Sequence, residues 1–102
     1  MNANNLYSLL DSIREKPYLY TGNRHLSALY YIINGYQLYC LHNGINENLI
    51  PEWNTFHDFV AKELDYYEST SGYRNMILEK CNFDEEKALV EFYKLLDLFR
   101  KS

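Results

Sequence analysis

One run constrains this 102-residue chain more than any other: Arg24 to Leu41, RHLSALYYIINGYQLYCL. Leu26, Leu29, Tyr30, Ile33, Gln37 and Cys40 recur at helical spacing and form one stripe. Tyr31, Ile32, Leu38 and Tyr39 fall outside that stripe, so the predicted helix is apolar nearly all round. A helix of that kind belongs at the centre of a bundle. Gly35 interrupts it at a cost of roughly 1 kcal/mol relative to Ala, which predicts a close packing neighbour or a bend.

The rest of the chain reads as helices arranged around that one. Asn4 or Asn5 can cap a first helix with Leu6, Leu9, Leu10 and Ile13 on one face. Pro17 ends it, because the residue before a proline is pushed out of the α region. YLYTG (18–22) is expected to be an extended connector, its two tyrosines pinned to the core and Gly22 turning into the next helix. HNGINENLI (42–50) is the longest polar break. Pro51 suits the first position of a third helix, where its missing N–H has no partner to lose. Trp53, Phe56, Val60, Leu64 and Tyr67 are its inward stripe. STSG (69–72) breaks the chain, and YRNMILEK (73–80) is a short helix. Asn82 or Asp84 can cap the last helix, and Asn82 with Glu85 has capping-box spacing. That helix buries Ala88, Leu89, Phe92, Leu95, Leu96 and Phe99. No segment alternates with period two. The expected fold is all-α, a compact bundle of four longer helices plus one short helix, in a single domain over residues 1–102.

Composition and charge narrow the function. A hydrophobic content of 47% with an aromatic share of 17% excludes a disordered tail. The net charge of −4 is uneven. Residues 1–46 hold two acids and three bases, whereas residues 47–102 hold twelve acids and seven bases. An acidic half repels phosphate backbones and argues against direct nucleic-acid binding, while a basic protein partner fits. The start MNANNLYSLL has neither a charged n-region nor a long apolar run, and no stretch approaches a membrane span, so neither a signal peptide nor a membrane partner is expected. Cys40 and Cys81 lie far apart and make neither a metal motif nor a disulfide framework; they read as free thiols in a reducing compartment.

Catalytic signatures are weak. KPYLYTG (16–22) resembles the opening of the ATPase domain of type II topoisomerases. In that family the helix after the glycine carries a catalytic glutamate and a metal-binding asparagine. Asn34 is available here, but no acid occurs from Arg24 to Asn46, so the base that would activate water is missing. His25, His42 and His57 form no metal-ligand spacing, and no serine lies in a nucleophile elbow. Glu85 and Glu86 look like paired carboxylates, yet acids in a first helical turn are explained by the helix dipole. No enzyme activity and no cofactor are expected. A small hydrolase built on one histidine is the remaining enzymatic reading.

The third helix carries the strongest binding signal. Asn54, Asp58, Lys62 and Asp65 lie opposite its core stripe. Phe59 and Tyr66, seven residues apart, flank the two faces. One reading is a solvated face whose aromatics pack on a neighbouring helix. The other is an acidic protein-binding site with aromatic anchors. The candidate partner-binding residues are Asp58, Phe59, Lys62, Asp65 and Tyr66, with Asp84, Glu85 and Glu91 as further acids. Val90 and Leu98 fall off the last helix's core stripe.

Two ordered stretches, IREKPYLYTGNRHLSALYYIINGY (13–36) and SGYRNMILEKCNFDEEKALVEFYKLLDLF (71–99), cover about half the chain. Together they resemble small helical immunity proteins of bacterial toxin systems, including contact-dependent growth inhibition. Tyr73 stands where that group usually has Trp. The resemblance implies a cytoplasmic, non-enzymatic protein that binds and neutralises the C-terminal domain of a cognate toxin, often a nuclease. The alternative is a helical adaptor or regulatory protein that forms homo- or hetero-oligomers without a toxin.

Overall fold

In the computed structural model, which describes residues 5–66 and 72–102, the first break in the chain is not an extended connector. Helix α1 spans Leu6–Glu15 and stops before Pro17, as expected. Pro17 then opens a second helix, α2, Pro17–Thr21. Its ring presets the helical φ at the first position, and Gly22 at φ 72° closes the turn by donating its N–H to the Tyr18 carbonyl. Tyr18 and Tyr20 are exposed rather than pinned to the core, and the Arg24 guanidinium stacks on the Tyr18 ring at 5.3 Å.

Helix α3 covers Leu26–His42. A 3-10 turn, Trp53–Thr55, leads into α4, Phe56–Glu63. Pro51 therefore precedes the helix instead of starting it; backbone bonding begins with Thr55 N–H to Glu52 O. Helix α4 stops at Glu63 because Asp65 adopts φ 61°, a left-handed conformation that ends α-helices. Leu64 still packs against the core, and Tyr67 lies outside the described residues. Helices α5 and α6 span Tyr73–Lys80 and Glu85–Lys101. Asn82 and Phe83 both take positive φ in the intervening turn, so Asn82 cannot cap; Asp84 does, accepting from the Glu86 and Lys87 N–H groups. The fold is all-α, and no strand occurs among the described residues.

Its centre is aromatic. Trp53 stacks on Phe56 with ring centroids 4.7 Å apart, and Phe56 meets Tyr73, Phe92 and Phe99 edge-on at 5.1–5.5 Å. Edge-to-face pairs of this kind add about 0.5–1.5 kcal/mol each beyond area burial. Helix α6 contributes Ala88, Leu89, Phe92, Tyr93, Leu95, Leu96 and Phe99 to the core. The Tyr93 hydroxyl is satisfied by the Leu10 carbonyl at 2.8 Å. A radius of gyration of 13.5 Å, against about 13 Å for a compact chain of 100 residues, fits one packed body.

Helix α3 is not central. Only Leu26, Leu29, Ile33 and Cys40 are buried. Tyr31, Leu38, Tyr39 and Leu41 are 64%, 56%, 59% and 75% exposed. Gly35 is exposed too; a side chain there would meet nothing within 4 Å among the described residues, so no packing neighbour among them explains it.

Candidate protein-binding surface

Two glutamates hold helices from outside their own segments. Glu47, in the loop after α3, accepts the Leu6 N–H at 3.1 Å with one oxygen and the Tyr36 hydroxyl with the other. It thereby satisfies a free donor at the N-terminus of α1 and fastens the loop to α3. Burial, reinforced by that carboxylate, pushes the Tyr36 phenol above its usual range. Glu85 does the same for α3: the Ser27 N–H and hydroxyl donate to its two oxygens at 2.9 and 2.6 Å. Arg74 completes the cluster, donating to Ser27 Oγ at 3.0 Å with its guanidinium 4.8 Å from the Tyr30 ring centroid.

With Glu47 fixed, the loop stands away from the C-terminal half of α3 and leaves an open cleft of about 640 Å³. Gln37 and Leu41 line its helix side, Ile45 and Glu47 its loop side, and Glu52 and Asn54 its far rim. Leu41 and Ile45 are exposed, as is Ile50 in the same loop. The rim carries Glu52, and the segment from 47 to 66 contains five acids and a single base, Lys62.

Asn54, in the 3-10 turn, leads from that rim to Asp58 and Lys62 on the exposed side of α4. A shallower cleft of about 400 Å³ lies there, lined by Asp58, Ala61, Lys62, Asp65 and Tyr66. Four of the sequence-derived candidates, Asp58, Lys62, Asp65 and Tyr66, thus surround one depression. The other four are placed elsewhere. Phe59 turns inward, its ring 5.4 Å from that of Phe99. Asp84 caps α6, Glu85 is taken up by Ser27, and Glu91 is half-buried and paired with Lys80 at 2.9 Å. Tyr66 follows α4 rather than lying on it, so the helical alignment with Phe59 does not form; its hydroxyl donates to Glu79, a bond that raises the phenol pKa.

Sequence reasoning missed the cleft between α3 and the loop because 42–50 reads as a polar break. Ile45, Leu49 and Ile50 within that break were the available signal. Leu49 packs against the core, whereas the two isoleucines remain exposed. Among the described residues no three His, Cys, Asp or Glu side chains gather as a metal-binding group, and no helix is long and apolar enough to cross a membrane. Cys40 is buried and Cys81 half-buried, both as free thiols. No protein-family model, curated protein or solved structure matches the chain.

Proposed function

We propose that this chain is an immunity protein that binds and neutralises a cognate bacterial toxin domain acting in the cytoplasm, a nuclease, by covering its basic active-site cleft. One observation carries the reading: uncovered apolar side chains, Leu41 and Ile45, stand at a single cleft with an acidic rim that runs through Glu52 toward Asp58 and Asp65. An apolar centre inside a charged rim is the layout of a specific protein interface. Nucleases bind polyanions, so their clefts are basic, and an acidic rim raises the association rate and selects such a partner. The resemblance of residues 13–36 and 71–99 to immunity proteins supports the same reading.

The test is binding kinetics, at low and high salt, against the C-terminal domain of any toxin whose gene adjoins this one. Asp58→Lys combined with Asp65→Lys is expected to slow association and flatten its salt dependence. Leu41→Asp is expected to act mainly on dissociation. Wild-type kinetics for both variants would remove this surface from the interface, and no binding by the wild-type chain would remove the immunity reading.

A further inference from the structure

Helix α2 buries none of its five residues. Tyr18, Leu19 and Tyr20 follow one another at 59%, 72% and 44% exposure. A turn of helix that gives nothing to the core yet carries three large side chains is an apolar knob on the surface. Cations bracket it. Arg14, Lys16 and Arg24 are all the Lys and Arg of residues 1–46, and Glu15 is the one acid among them. Arg14 is taken up by Asp97, whereas Lys16 and Arg24 form no ion pair among the described residues. Glu86 lines the same groove beside α2 as Arg24 without pairing with it.

The cleft between α3 and the loop has the converse chemistry and lies at the other end of the molecule. Its Glu47 takes the Leu6 N–H at the start of α1, whereas α2 follows the end of α1. Helix α3 runs back from α2 toward the cleft, so Leu26 and Leu41 stand about 20 Å apart at 1.5 Å per residue. The longest dimension of the molecule is 37 Å. The cleft offers Leu41 and Ile45, both exposed, and none of its lining residues is Lys or Arg. Glu52 on its rim is exposed and forms no ion pair among the described residues.

We infer that the α2 knob docks into the cleft of a second copy of the chain, head to tail. Leu19 and the two tyrosines meet Leu41 and Ile45, and Lys16 and Arg24 meet Glu52 and the acids that follow it along α4. Complementarity of both kinds selects this occupant. A nucleic acid supplies negative charge without an apolar pocket, and an anionic membrane repels a chain of net charge −4. Knob and cleft lie at opposite ends, so they cannot meet within one chain. The contact is heterologous, and each copy keeps one surface free to add another. A five-residue helix offers less than about 600 Å² per copy, the size of weak and transient encounters. Self-association therefore covers the cleft reversibly at high concentration, and any partner that binds the cleft competes with it. The inference uses two surfaces of this chain alone and does not rest on the toxin reading.

Sedimentation velocity of the full chain, from micromolar to millimolar concentration, tests it. Wild type should grow from monomer to dimer and larger species as concentration rises, and high salt should weaken that growth. Leu19→Asn with Arg24→Gln disables the knob, and Leu41→Asn with Glu52→Gln disables the cleft. All four positions are exposed, so both variants should keep the wild-type circular-dichroism spectrum. Each alone should associate about tenfold more weakly, a loss of about 1.4 kcal/mol. Mixed in equal amounts, the two retain one intact knob and one intact cleft between them, and should form a heterodimer and nothing larger. A wild-type chain that is monomeric at every concentration overturns the proposal. So does a mixture of the two folded variants that stays monomeric, or undiminished growth by either variant alone. Binding of a monomeric wild-type chain through α2 to anionic vesicles or to single-stranded DNA would assign the knob to that occupant and overturn the second copy.

Discussion

Helices α3 and α6 have the same length, 17 residues, and opposite relations to the core. Helix α6 carries charges along its outer side and buries seven side chains. Helix α3 has no Asp, Glu, Lys or Arg, yet buries four. Apolar content does not decide which helix is central. A helix can present only one side to a core, so a stripe of matched width is buried and any surplus stays outside. The surplus on α3 is large for so small a protein, and large uncovered apolar patches mark binding surfaces. Helix α6 is consumed by folding, and α3 leaves much of its apolar surface uncovered.

The largest expected effect tests that division directly. Phe92, fully buried on α6, meets the rings of Phe56, Trp53 and Tyr93. Phe92→Ala should cost about 3–5 kcal/mol in a denaturation experiment. Tyr39→Ala on the outer side of α3 should stay within about 0.5 kcal/mol. Comparable losses in both variants would mean that the outer side of α3 is structural.

The joint between the two helices comes next. Glu85 of α6 supplies the side-chain cap at the N-terminus of α3, whose own N-cap residue, His25, makes none. Glu85→Ala should cost about 0.5–2 kcal/mol, the range for losing a cap. The first-turn amides of α3 should lose protection in hydrogen exchange while those of α6 keep it. Uniform loss across both helices would point to general destabilisation instead.

Tyr73 lies between the two, its ring 5.6 Å from Tyr30 of α3 and 6.0 Å from Phe92 of α6. Its hydroxyl is buried without a hydrogen-bond partner among the described residues, and burial raises the phenol pKa. A buried polar atom left unpaired costs about 1–3 kcal/mol. Tyr73→Phe should therefore stabilise the protein by about 1 kcal/mol; a lower melting temperature would show that the hydroxyl is in fact bonded.

The smallest effect concerns the outer side of α6. Arg14 donates to both Asp97 oxygens at 2.8 and 2.9 Å and holds that carboxyl below its ordinary pKa. A lowered folded-state pKa gives stability that is present above the unfolded value, about 3.9, and is lost as pH falls through the folded value. The pair is 45% and 44% exposed, so screening limits it to about 0.2–1 kcal/mol. Asp97→Asn should be slightly less stable than wild type at neutral pH, and the gap should close in acid. A gap that persists below both pKa values would assign the effect to packing.

The α6 stripe was legible because all six of its core positions named from spacing are buried, and only Tyr93 was missed. The first helix was legible from an Asn cap, a proline stop and apolar spacing, and the short helix at 73–80 from the STSG break before it. The candidate site was legible only in part. Asp58, Lys62 and Asp65 could be read as an exposed group because one helix carries the first two and the third follows at once. The inward turn of Phe59 onto Phe99 and the capture of Glu85 by Ser27 could not, since each partner lies 40 and 58 residues away.

Sequence alone determined the all-α class, most of the cores of α1 and α6, the uneven charge and the absence of charge along α3, because each is set by residues within a few turns of one another. Only the tertiary structure decided that α3 lies at the surface, that Glu47 holds the loop open into a cleft, and that Gly35 has no neighbour among the described residues. Those outcomes depend on which of several apolar sides the other helices have room to cover, and that is a property of the whole packing arrangement.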